Sequence, residues 1–255
     1  FCSFGLNRLL DEPGSLFPEA PESIWPEQSL RVPQGEHRRS QAQSLFQMIA
    51  LINELGKGTR AGEGNSWGKA FFNANFFFFI AATDNSGDTL GHSQLVASYT
   101  LLLAKELGIE NSEYLMDLER GALLHDIGKV AIPDMILKKP GPLTPEEREI
   151  IKGHSLIGYN MIKEMAFLER AASVVLYHHE HFDGNGYPFG LAGKEIPLEA
   201  RIFALADTLD AITSNRPYRR GQSFAAAMKE IERVKGKQFD PLITDVLLSI
   251  PLERW

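Results

Sequence analysis

Six of the seven histidines in this chain, His92, His125, His154, His178, His179 and His181, lie between positions 92 and 181, and His125 is followed directly by Asp126. Imidazole and carboxylate donors together suit Fe(II), Mn(II), Zn(II) or Ni(II), and the lack of cysteine beside them argues against structural zinc or an iron–sulfur cluster. A donor set of this kind points to a catalytic metal centre. Asp207 joins the candidates, because in Arg201-Ile202-Phe203-Ala204-Leu205-Ala206-Asp207 a carboxylate among apolar neighbours faces a core. It is costly there unless paired or metal-bound. The opposite reading also stands: a lone helical histidine is more often a surface or hydrogen-bonded core residue, and His37 and His181 fit that description. The adjacent pair His178-His179 resists it, since successive helical residues point about 100° apart and reach metals together only at a helix end or in a multinuclear site. Spacing alone leaves both readings open.

The elements that must position these groups are helical. Apolar periodicity and stop signals predict helices over Gln94 to Leu107, ending at Gly108, and over Ser112 to His125. Thr144, Pro145 and Glu147 form a capping box with proline at the first helical position, opening a helix that is expected to run to about Lys163. Further helices are expected over 167–180, 197–213 and 223–235, the last two ending near Asn215 and Gly236. This arrangement puts His92 at the start of one helix, His125-Asp126 at the end of the next, His154 within a third and His178-His179 at the end of a fourth. No alternating strand pattern and no fixed repeat are visible, so the expected fold class is all-α.

Residues 1–80 read differently. Five prolines, Pro13, Pro18, Pro21, Pro26 and Pro33, punctuate residues 1–39 and predict irregular chain. Gln41 to Leu55 carries apolar residues at helical spacing and ends at Gly56. Phe71 to Ile80 holds six phenylalanines in ten residues, which reads as a helix buried against the following domain or a dimer partner. The expected division is an N-terminal region over 1–80, regulatory, dimerising or merely packing, and a catalytic domain over 81–255.

Composition limits the function classes. With 255 residues, 44% hydrophobic and 23% charged, the chain can bury a real core and is not disordered as a whole. A net charge of −7 argues against bulk electrostatic gripping of DNA or RNA, so an anionic substrate needs local cations. The longest apolar run, Phe76 to Ala82, is far too short to span a bilayer. The single cysteine, Cys2, excludes an internal disulfide and suggests a cytoplasmic protein. The chain opens on Phe1 without a signal-peptide pattern, which suggests a piece of a longer protein with an upstream domain.

The string His178-His179-Glu180-His181-Phe182-Asp183-Gly184-Asn185-Gly186-Tyr187-Pro188 resembles the H-H-E-x-x-D-G-x-G-Y-P signature of the HD-GYP domain, a branch of the HD phosphohydrolase superfamily, at every fixed position. The resemblance extends through Gly91-His92-Ser93, His125-Asp126-Ile127-Gly128-Lys129, Lys139 to Thr144, His154, Ala206-Asp207, Ser214-Asn215-Arg216-Pro217-Tyr218-Arg219 and Gln238-Phe239-Asp240-Pro241. It covers about residues 84–250.

The resemblance implies a helical bundle holding two, sometimes three, divalent transition metals, iron or manganese first and nickel or zinc as alternatives. It also implies phosphodiesterase activity on cyclic di-GMP, to linear pGpG and onward to GMP. His92, His125, Asp126 and Asp207 match the ligands of one metal, and Asp126 would bridge to a second held by His154, His178 and His179. A hydroxide shared by the two metals would attack phosphorus. A third metal in some members uses a carboxylate four residues before the first histidine, here Asp88, which is otherwise a loop residue or helix cap. Lys129 matches a lysine that stabilises the phosphate or leaving oxygen. Arg216 and Arg219 match phosphate contacts, Arg220 is a further cation or a solvated residue, and Tyr187 contacts or positions substrate. Gly184 and Gly186 would permit tight backbone. Three alternatives stay open: a phosphodiesterase for 3′,3′-cyclic GMP-AMP, a more distant HD hydrolase acting on nucleoside phosphates, and a receptor module that binds the nucleotide or a GGDEF-type protein without turnover. A homodimer is the other partnership the sequence allows.

Overall fold

A computed structural model describes residues 90–215 and 219–255. The helix expected over Gln41 to Leu55, the phenylalanine run, Asp88 and Arg216 lie outside the described residues.

The described chain is built of helices, with no β-strand and only the isolated bridges Asp183–Ala192 and Lys235–Phe239. Helix α1 spans Leu90–Glu106, α2 Ser112–Leu124, and a 3-10 turn follows at Ile127–Ala131. Short α3 (Asp134–Leu137) leads to α4 (Pro145–Lys152) and α5 (His154–Ile162). Helices α6 (Glu169–Tyr177), α7 (Leu198–Thr213), α8 (Phe224–Arg233) and α9 (Pro241–Ser249) complete the order. The all-α expectation is met.

Local chemistry explains most boundaries. Asn111 caps α2 through its side chain, and the Thr144–Glu147 capping box opens α4 as the sequence predicted. The helix expected to run unbroken to Lys163 is instead two. At Gly153 the amide N–H is shared between the carbonyls of Glu149 and Ile150, both at 3.2 Å, and the ring of His154 takes the carbonyl of Ile151. His154 therefore opens α5 rather than sitting within a longer helix. Helices α3 and α9 were not expected; α9 starts where Asp240 accepts the N–H of Leu242 and Pro241 occupies the first turn.

The core lies around α7, whose Ala200, Ile202, Phe203, Leu205, Ala206 and Leu209 are fully or almost fully buried. Helix α1 packs on α2 and α7, α2 on α6, and α5 on both α6 and the 3-10 turn. Leu103, Leu118, Leu124, Ile162, Val174 and Phe239 fill the space between them. Burial of each large side chain contributes roughly 1.5–3 kcal/mol. This packing fixes four helix ends around one point.

Candidate metal centre

Three of the candidate histidines follow closely on a helix C-terminus: His125 directly after α2, His154 across Gly153 from α4 as the first residue of α5, and His178 directly after α6. The last carbonyls of a helix lack intrahelical partners. All three rings use one: Nδ1 of His125 bonds the carbonyl of Ala122 at 2.8 Å, His154 that of Ile151 at 2.7 Å, and His178 that of Val175 at 2.9 Å. His92, at the other end of its helix, bonds instead the carboxylate of Asp210, at 2.5 Å. These acceptors take up Nδ1 and turn Nε2 of four imidazoles toward the centre.

The donors form two groups. One atom each from His92, His125 and Asp207 lie within 4.8 Å of one another, and so do atoms from His154, His178 and His179. Asp126 stands between the groups: its Oδ2 is 3.1 Å from Nε2 of His125 and its Oδ1 is 3.3 Å from Nε2 of His154. Lys129, three residues on, donates to the same Oδ2 at 2.5 Å. Gly128 makes this approach feasible, because a Cβ there would lie 1.9 Å from the carbonyl oxygen of His154. Phe203, one turn before Asp207 on α7, forms a wall against the rings of His125 and His178, with centroids 5.0 and 5.9 Å away.

The electrostatics suit a cation. Burial holds the imidazole of His154 below its usual range, that of His178 well below it, and that of His179 at about 3, so all three stay neutral and able to ligate. His125 is pressed toward neutrality by burial, but Asp126 and Asp207 outweigh this and raise it to about 9. Burial also opposes ionisation of Asp126, yet His125, Lys129 and His154 hold its carboxyl well below the usual carboxylate range. Burial raises Asp207. A proton on His125 and the ammonium of Lys129 thus offset, in the protein alone, negative charge that a divalent ion would offset when bound. Oriented neutral imidazoles, two carboxylates and no thiolate fit a borderline transition metal with open positions for substrate.

The comparison with known proteins agrees with this chemistry. A family model described as HD domain matches residues 80–243. The chain belongs to the HD domain family. The cyclic di-GMP phosphodiesterase response regulator RpfG of Xanthomonas campestris is 42% identical over 164 residues, 64% of this chain and 43% of its own length. A cyclic di-GMP phosphodiesterase of Thermotoga maritima is 40% identical over 168 residues, 65% and 45% of the two chains. The 3′3′-cGAMP-specific phosphodiesterase 2 of Vibrio cholerae is 37% identical over 171 residues, 66% and 33%. The chain spans less than half the length of these relatives. Among solved structures, a protein described as HDG"Y"P from Bdellovibrio bacteriovorus superposes with a TM-score of 0.54 at 21% identity, covering 83% of this chain and 68% of that one. The likeness is one of fold.

Within this HD domain, the structure brings together His92, His125, Asp126, Lys129, His154, His178, His179 and Asp207, as the sequence led one to expect. Tyr187 also joins them, its ring stacked on His179 at 4.6 Å and 27°, with Nζ of Lys152 5.6 Å from its centroid. Arg219 and Arg220 are exposed, and the Arg219 guanidinium donates to the carbonyl of Ala211 in the last turn of α7. Sequence reasoning missed Asp210, fully buried and bonded also by Ser214 Oγ at 2.6 Å. Its signal was present, three residues after Asp207 on one face of α7. Phe203 and Glu180 were likewise missed. Among the described residues, no helix is long and apolar enough to cross a membrane.

Proposed function

We propose that this HD domain hydrolyses the phosphodiester bonds of cyclic di-GMP, giving linear pGpG and then GMP. The observation that carries the reading is the split carboxylate of Asp126, one oxygen toward His125 and the other toward His154. A carboxylate so placed could serve two ions: His92, His125, Asp126 and Asp207 would hold one, and Asp126, His154, His178 and His179 would hold the other. When bound, divalent metals of the iron or manganese type supply Lewis acidity, both to ready a water for attack near neutral pH and to offset charge on the phosphoryl oxygens. Asp88 is the residue we assign to a third ion.

The chain's own residues do the rest. Four Nδ1 acceptors lock the imidazoles in the ligating tautomer. Lys129, already in contact with Asp126, places a cation beside the region where phosphate charge develops. Tyr187 offers an aromatic edge next to His179, and Arg216 and Arg219 are the residues we assign as cations for phosphate. Support from relatives is direct in kind: the proteins of Xanthomonas campestris and Thermotoga maritima are described as cyclic di-GMP phosphodiesterases. The 37% identical Vibrio cholerae protein, described as 3′3′-cGAMP-specific, favours cyclic GMP-AMP as the second reading.

The test is turnover by anaerobically purified protein supplied with Fe(II) or Mn(II), with metal content measured, beside a variant carrying His125→Ala and Asp126→Ala. Metal-dependent production of pGpG, lost in the variant, is the expected result. Two bound ions with cyclic di-GMP intact and cyclic GMP-AMP cleaved would transfer the assignment to the second substrate; both nucleotides surviving would overturn hydrolysis in favour of a receptor.

A further inference from the structure

Glu180 follows the two histidines directly, is 3% exposed, and has no part in the donor groups described above. Its carboxylate reaches forward in the chain. Oε1 accepts the N–H of Phe189 at 2.8 Å and Oε2 accepts the N–H of Leu191 at 3.0 Å. These amides lie just beyond Tyr187-Pro188. On the near side, the N–H of Tyr187 itself donates to the carbonyl of His179 at 3.1 Å. Gly186 lets the backbone come this close, since a Cβ there would stand 2.2 Å from the nitrogen of His181 and 2.5 Å from Cα of Glu180. Phe189 and Leu191 are then tucked against Leu176, Tyr177 and Ile196 in a small apolar cluster of their own. Tyr187 is therefore gripped on both sides by two consecutive residues, His179 and Glu180. Its ring lies on that of His179.

We propose that Glu180 is a positioning residue: by holding the backbone of residues 189–191 it fixes the ring of Tyr187 on His179, and so shapes the surface that receives a cyclic dinucleotide beside the metal centre. The inference rests on the substrate reading given above. A carboxylate suits the task because it accepts two N–H groups at once, which the amide of glutamine cannot do without facing an N–H to an N–H. Aspartate keeps the charge but withdraws it by one methylene.

The test compares wild type with Glu180→Gln and Glu180→Asp, each also in a Tyr187→Ala background, with metal content and helical circular dichroism measured throughout. Loss of one charge-assisted bond predicts a KM for the dinucleotide raised about tenfold, with kcat and metal content nearly unchanged. In the Tyr187→Ala background the Glu180 substitutions change KM less than about twofold, because both act through one element. A readout independent of turnover uses 3-fluorotyrosine: the fluorine resonance that vanishes in Tyr187→Phe is expected to shift toward its solvent-exposed position in Glu180→Gln. An unmoved resonance, an undiminished KM effect without Tyr187, or loss of metal in both Glu180 variants would overturn the proposal. If wild-type protein cleaves no cyclic dinucleotide, the catalytic reading fails, while the fluorine shift still decides whether Glu180 positions Tyr187.

Discussion

The four imidazoles with fixed tautomers differ in what fixes them. His125, His154 and His178 lean on main-chain carbonyls three residues back, which no side-chain substitution removes. His92 depends on a side chain, the buried carboxylate of Asp210, itself held by Ser214. Asp210→Ala is therefore expected to weaken metal binding about 10–100-fold, the usual loss when such an outer partner is removed. Asp210→Asn, whose amide oxygen still accepts from Nδ1, should lose less. Competition of Mn(II) or Zn(II) against a chelator measures both, and equal affinity in wild type and Asp210→Ala would refute the role. Asp210 carried a signal in its spacing from Asp207, but its bond to His92 was not legible in the sequence, because it depends on α1 crossing α7, a tertiary fact. The candidate donors themselves could be named from the sequence, through the resemblance more than through spacing, and the structure brings them together in two groups.

Elements meet at this centre through close backbone approach, and a substitution there acts on more than one of the proposed ligands. A methyl at Gly128 would collide with the His154 carbonyl, so the 3-10 turn and α5 must separate. Gly128→Ala is expected to keep its helical circular dichroism but lower thermal stability and bind less than the full metal complement, because Asp126 and His154 part together. Full metal content would show that the turn relaxes freely. A second joint is the ion pair of Arg201 with Asp240, at 2.6 Å and under 10% exposed on both side chains. Asp240 also caps α9, and the adjoining Lys237 and Gln238 carbonyls accept the N–H groups of Asp183 and Phe182. Removing one partner of a buried pair costs about 3–5 kcal/mol, which is the loss expected for Asp240→Ala in denaturant unfolding. Of these elements the sequence revealed α2 and α6–α8 closely, and the start of α4 but not its end, because caps and apolar spacing are local. The break at Gly153 was hidden, since the residues on either side keep helical spacing and only the neighbouring turn makes the separation useful. The start of α9 carried its signal in Asp240-Pro241, but a short helix is set more by packing than by its own propensity.

For the molecule as a whole, the buried histidines make stability depend on pH in a way that metal should alter. His178 and His179 are depressed in the fold, the latter to about 3, so they stay neutral when folded but take up protons below about 6.5 when unfolded. Their contribution is present above that pH and is lost as pH falls. His125 acts oppositely: raised to about 9, it contributes stability that is full below about 6.5 and lost between there and 9, on the order of 3 kcal/mol. Asp126, held low, adds to the acid-side loss, and Asp207, raised by burial, offsets part of it. Metal-free protein is thus expected to be most stable near pH 6.5, with denaturation midpoints falling on both sides. If His125 holds a metal through Nε2, no proton remains there to lose, and the alkaline limb should flatten. The acid limb should steepen, because protons then compete for every ligand. Denaturant midpoints from pH 5 to 9, with and without Mn(II), check this. An alkaline decline of equal size in both states would mean that His125 is not a ligand, and would leave Asp126 without a first ion to share.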